Sequence, residues 1–118
     1  MNALLIFLCG GIGSLLRYLI GLWTPPSTFP WATLIINVGG CLIIGLFSGG
    51  CERFGWTEPT RLALTVGLCG GFTTFSTFSK EAFLLLHAGR CGLFAAYTFG
   101  SLLLGLIAVA IGTLLTRQ

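Results

Sequence analysis

Gly70-Gly71-Phe72-Thr73-Thr74-Phe75-Ser76-Thr77-Phe78-Ser79 lies inside a long apolar segment, and its composition conflicts with a plain lipid-facing helix. Two adjacent glycines lead into five hydroxyl side chains, Thr73, Thr74, Ser76, Thr77 and Ser79. Backbone at membrane depth leaves the helical state only where protein or water covers it. The stretch therefore reads as a membrane span that breaks midway, with the break lining a protected polar site. Broken helices present free carbonyls to cations and free amides to anions. The chemistry indicated is binding or moving an ion.

Composition agrees with a membrane setting. The chain has 118 residues, is 55% hydrophobic and 8% charged, against about 25% charged residues in an ordinary soluble domain. A soluble protein of this length could not cover so much apolar surface. One four-span domain over residues 1–118 is expected, with no second domain. Met1-Asn2-Ala3 lacks the positive charge of a signal peptide, and none is expected. Cys9, Cys41, Cys51, Cys69 and Cys91 match no zinc or redox spacing and read as small packing residues. A single histidine, His87, excludes a histidine metal cage within one chain.

Spans of about 20 apolar residues fall at Ala3–Leu22, Trp31–Gly50, Leu62–His87 and Gly92–Leu115. Pro25, Pro26 and Pro30 mark the first connection, Glu52 to Thr60 with Pro59 the second, and Ala88, Gly89 and Arg90 the third. Trp23, Trp31 and Trp56 sit at span edges, where interfacial aromatic belts form. Four spans put both termini on one side, with Arg53, Arg61 and Arg117; Arg17, Lys80 and Arg90 lie toward the other. Positive residues normally set orientation, and this balance supplies almost no bias. Two readings stay open. The chain inserts both ways and pairs as an antiparallel dual-topology homodimer, or it keeps one weakly biased topology. Faces of small residues point to close helix contact, in a dimer or within the chain: Gly10, Gly11, Gly13 and Ser14; Cys41, Gly45 and Gly49; Ala96 with Gly100; Ala108 with Gly112.

Polar stripes accompany the break. Thr33, Asn37, Cys41 and Gly45 share a helix face, as do Tyr97, Ser101 and Gly105. Asn37 either contributes its amide to an ion path or bonds a neighbouring helix; Ser101 lines the path or bonds its own backbone. Phe75 and Phe78, three residues apart, project to similar directions if the helix resumes there. A phenyl ring has a positive edge, which suits an anion in a dry site. Arg17, alone in the first span, either snorkels to the interface or draws anions into a vestibule. Lys80 and Glu81 are ionisable residues beyond the break and form either functional groups or a structural pair.

These residues resemble the CrcB/Fluc family of fluoride channels over essentially the whole chain. Gly70 to Phe78 resembles the family's third-span signature, Gly10-Gly11-Ile12-Gly13 through Arg17-Tyr18 its first span, and Asn37-Val38-Gly39 its second. The resemblance implies an all-α membrane protein, four transmembrane helices with the third broken, assembled as an antiparallel dual-topology homodimer. It implies passive, fluoride-selective export that reduces fluoride toxicity, from a multi-pass protein of the bacterial inner membrane. It further implies a structural sodium ion at the dimer centre, held by backbone carbonyls that fall on Gly70 and Thr73. The implied pathway carries Asn37, Phe75, Phe78, Tyr97 and Ser101, with Thr33 a weaker match and the Thr77 hydroxyl beside it. The next track position falls on Gly105, where some members carry a hydroxyl. Glu81 matches an acidic position after the signature.

A small multidrug-type proton-coupled antiporter shares the length and four spans. Its mechanism needs a carboxylate in the first span, where this chain has Arg17 and no acid. A non-transporting membrane subunit would explain the glycine faces but not the hydroxyl-rich break. No nucleophile–base pair suggests an enzyme.

Overall fold

A computed structural model describes residues 1–117. The chain is all-helical, with principal extents of 48 × 30 × 21 Å. Helix α1 covers Asn2–Trp23 and α2 covers Trp31–Phe54. The third segment is composite: α3 (Glu58–Leu62), a π-helical stretch Ala63–Cys69, a single turn α4 (Gly70–Phe72), and α5 (Phe75–His87). Helix α6 covers Cys91–Arg117. Among the described residues, four stretches are long and apolar enough to cross a membrane: Asn2–Trp23, Trp31–Phe54, Glu58–His87 and Cys91–Arg117.

Helix ends follow local chemistry. Thr24 leaves α1 in an extended conformation ahead of Pro25 and Pro26, with its N–H and hydroxyl both donating to Ile20 C=O. Gly55, at φ 63°, closes α2 from the left-handed region that glycine enters without a Cβ clash. The second connection is shorter than its composition suggests. Glu52 and Arg53 continue α2, and Glu58 to Thr60 already belong to α3. Pro59 sits in the first turn of α3, where its missing N–H has no intrahelical partner to lose. Proline there starts a helix rather than extending a loop.

Packing divides the molecule into two helix pairs. The α2–α6 pair is the more extensive. Its backbones touch: a Cβ on Gly45 would strike Val109 C=O, and one on Gly112 would strike Leu42 C=O. The second pair joins α1 to the first half of the third segment. A Cβ on Gly71 would strike Gly10 C=O, and one on Gly13 would strike Leu68 C=O and Phe72 N. So most of the small-residue faces are consumed within the chain, where an apolar solvent leaves backbone contact as the main source of packing. Gly11 and Gly100 alone of those glycines have open space at the Cβ position.

The third segment changes partner along its length. Its first half packs on α1; α5 packs on α6 instead. Ala82 and Leu85 of α5 bury against Tyr97 of α6, with Phe29, Phe78 and Phe94 around them. The exchange takes place at Thr73 (φ −84°, ψ 159°) and Thr74 (φ −149°, ψ 115°), both extended.

Candidate functional site

Two extended residues inside an apolar segment leave backbone groups without helical partners. Asn37 of α2 takes over part of that task. Its Oδ1 accepts from Thr74 N–H at 2.9 Å, and its Nδ2 donates to Thr74 C=O at 3.1 Å. The side-chain amide thus pairs with Thr74 as a neighbouring β-strand would. Thr74 then caps α5, its hydroxyl accepting from Thr77 N–H at 3.3 Å.

These bonds have a consequence one turn back. In an unbroken helix, Thr74 N–H would close on Gly70 C=O and Thr77 N–H on Thr73 C=O. Here the first goes to Asn37 and the second to the Thr74 hydroxyl. The Gly70 and Thr73 carbonyls are deprived of those donors. Between them, Gly71 C=O accepts from Ser14 Oγ at 3.4 Å and from Arg17 Nε at 3.3 Å. Arg17 is therefore tied to the interruption by its Nε. The amides of Phe75 and Ser76 begin a new helix and have no preceding turn to bond.

A cleft opens on each side of Thr74. The larger, of about 490 Å³, is lined by Asn37, Gly70, Thr73, Phe75, Phe78 and Ser101, among others. The smaller, of about 410 Å³, is lined by Ser14, Arg17, Thr33, Thr74 and Thr77, together with apolar neighbours. Thr74 borders both. The Phe75 and Phe78 rings lie 5.9 Å apart at 39°, and Phe75 is 79% exposed. No carboxylate lines either cleft among the described residues.

The residues singled out by sequence fall into three groups. Asn37, Phe75, Phe78 and Ser101 share the larger cleft with Gly70 and Thr73. Thr33, Thr77 and Arg17 share the smaller. Tyr97 borders neither and is 0% exposed. Its ring packs 5.0 Å from Phe78 and 5.5 Å from Phe29, and its hydroxyl donates to Glu81 Oε1 at 3.2 Å. Glu81 thus pairs with tyrosine; no ion pair links it to Lys80 among the described residues. Sequence reasoning missed Ser14 as a partner of the interruption and Thr98 as a lining residue. Thr98 precedes Ser101 by three residues, so a stripe drawn at four-residue spacing passes it by.

The family model described as "CrcB-like protein, Camphor Resistance (CrcB)" matches residues 4–113. A protein of Phocaeicola vulgatus named fluoride-specific ion channel FluC is 49% identical over 114 residues, covering 94% of this chain and 94% of the relative. Proteins of the same name are 46% identical in Bacteroides fragilis, covering 96% of this chain and 94% of the relative, and 48% identical in Chloroflexus aurantiacus, covering 98% and 95%. With this coverage and four helices able to cross a bilayer, the chain is a multi-pass membrane protein of the CrcB family.

Proposed function

We propose that this chain is a fluoride-specific ion channel that lets fluoride leave the cytoplasm down its gradient and so limits fluoride toxicity. In a bacterium the membrane concerned is the inner membrane. The observation that carries the reading is the near full-length identity to relatives named fluoride-specific ion channels. The chemistry of the two clefts supports it. Their donors are hydroxyls, an amide, a guanidinium and the first N–H groups of α5, all of which favour an anion. Phe75 and Phe78 would add ring edges. Fluoride would shed water stepwise along Arg17, Thr33 and Thr77 in one cleft and Asn37, the two phenylalanines and Ser101 in the other. Tyr97 would act from behind Phe78, fixing that ring and Glu81. A path of this kind must bind the ion enough to admit it and weakly enough to release it.

The interruption at Thr73–Thr74 is the proposed centre of the path. It exposes the Gly70 backbone and the Phe75 ring on the outside of the protomer. Unpaired backbone facing lipid is costly, so a partner covering that face is needed. An antiparallel homodimer satisfies this, and the three-against-three balance of positive residues fits insertion in both orientations. Gly70 and Thr73 supply carbonyl oxygens lacking their usual helical donors, and hard cations prefer oxygen ligands. These carbonyls fit a structural sodium ion shared between two copies. Such a cation would offset part of the cost of holding an anion in low dielectric.

Fluoride efflux from liposomes reconstituted with the purified protein tests the reading. Rapid release of fluoride, with chloride retained under the same gradient, is expected. Chloride leaving as fast as fluoride, or neither leaving, would overturn it. A proton-coupled antiporter gains no support, because α1 carries Arg17 and no carboxylate.

A further inference from the structure

We infer that the Thr98 hydroxyl is an ion-binding contact that donates to the anion in the larger cleft. Thr98 Oγ1 and Ser101 Oγ are the two buried side-chain polar atoms without a hydrogen-bond partner among the described residues. Buried polar groups in folded proteins are almost always paired, so an orphan needs a reason. Threonine in a helix has a ready solution, bonding the carbonyl four residues earlier. This chain uses it repeatedly: Thr24 bonds Ile20 C=O at 2.8 Å, Thr65 bonds Arg61 C=O at 2.7 Å, Thr73 bonds Cys69 C=O at 2.9 Å and Thr116 bonds Gly112 C=O at 3.0 Å. Thr98 leaves that bond unmade and lines the larger cleft with Ser101, three residues on and on the same helix face.

The donor inventory of the cleft gives the hydroxyl its use. Asn37 has its Oδ1 and one Nδ2 hydrogen committed to Thr74, which leaves one N–H free. A small anion stripped of water needs several donors at once. The Thr98 and Ser101 hydroxyls supply two, in a cleft with no carboxylate to compete for them. The proposal rests on the fluoride reading above.

The test compares wild type, Thr98→Val and Thr98→Ser in proteoliposomes, with thermal unfolding in detergent measured beside flux. Valine keeps the shape and removes the hydroxyl; serine keeps the hydroxyl. Fluoride efflux should fall about tenfold in the valine variant, in line with losing a hydrogen bond to an ion. Serine should restore it to within about twofold of wild type. The valine variant should unfold at the wild-type temperature or above, since an orphan hydroxyl has been removed. Unchanged flux in the valine variant, or equal losses in both variants, would overturn the proposal. So would a lower unfolding temperature, which would mean that the hydroxyl has a structural partner. A valine variant whose stability loses its response to sodium would assign the hydroxyl to the cation, and would also overturn it. If wild type releases no fluoride, the channel reading falls and this contact with it; if wild type conducts, the variants judge the contact alone.

Discussion

Replacing Asn37 by alanine removes two hydrogen bonds to one residue, and the cost follows from where they end. Thr74 N–H and C=O both lose their partner, at distances of 2.9 and 3.1 Å in the intact protein. Each bond contributes about 1 kcal/mol net, and an amide left buried and unpaired costs about 1–3 kcal/mol. Water in the larger cleft can serve the carbonyl. The expected loss is therefore about 2–4 kcal/mol, a large share of the stability of a small protein. Part of it is recovered if Thr74 N–H closes on Gly70 C=O, but that heals the interruption and occupies the carbonyl. Either outcome stops conduction. Asn37→Asp keeps an acceptor for Thr74 N–H but sets a second carboxylate oxygen against Thr74 C=O in place of the donor, so it loses more than the about 1 kcal/mol of that bond, while its negative charge repels fluoride. Denaturant or thermal unfolding in detergent, run beside fluoride efflux, should show an alanine variant that is both unstable and silent. The aspartate variant should be destabilised as well and equally silent. An alanine variant within about 0.5 kcal/mol of wild type, still conducting, would refute the clamp.

Three further outcomes follow from the same geometry. Phe75→Ile should abolish fluoride efflux, because the ring lines the larger cleft beside Phe78; normal efflux would remove Phe75 from the pathway. Gly71→Ala places a methyl group against Gly10 backbone atoms that cannot rotate away, so it should cost about 1–3 kcal/mol or more by overpacking. Gly100→Ala meets open space and should leave stability equal or raise it by up to about 1 kcal/mol; equal effects of the two in an unfolding assay would contradict the packing described. Tyr97→Phe removes the hydroxyl bonded to Glu81 at 3.2 Å and keeps the ring, so unfolding should shift by about 1 kcal/mol with fluoride efflux reduced but present.

Hydropathy alone located the four spans, because bilayer crossing leaves a run of about 20 apolar residues that needs no tertiary information. Their ends were less legible. Pro59 reads as a loop marker, yet proline in a first helical turn reads the same in sequence as proline beyond a helix end. The π-helical stretch Ala63–Cys69 leaves no periodic signature over seven residues. At the site, Asn37 announces itself as an amide in an apolar span, but its partner Thr74 lies 37 residues away and only the fold brings them together. Gly10, Gly13, Gly45 and Gly112 signal close contact without saying with what. The structure gives their contacts to helices of the same chain. Thr98 stayed hidden because strict four-residue spacing is narrower than a real helix face.

Electrical recording tests the central claim most directly: the interrupted third segment provides a passive path for fluoride and for no coupled ion. With a tenfold fluoride gradient across a planar bilayer containing the protein, the current should reverse at the fluoride equilibrium potential, about 59 mV from zero. It should stay there when pH or chloride is made asymmetric. A reversal potential that moves with the proton or chloride gradient would contradict the account.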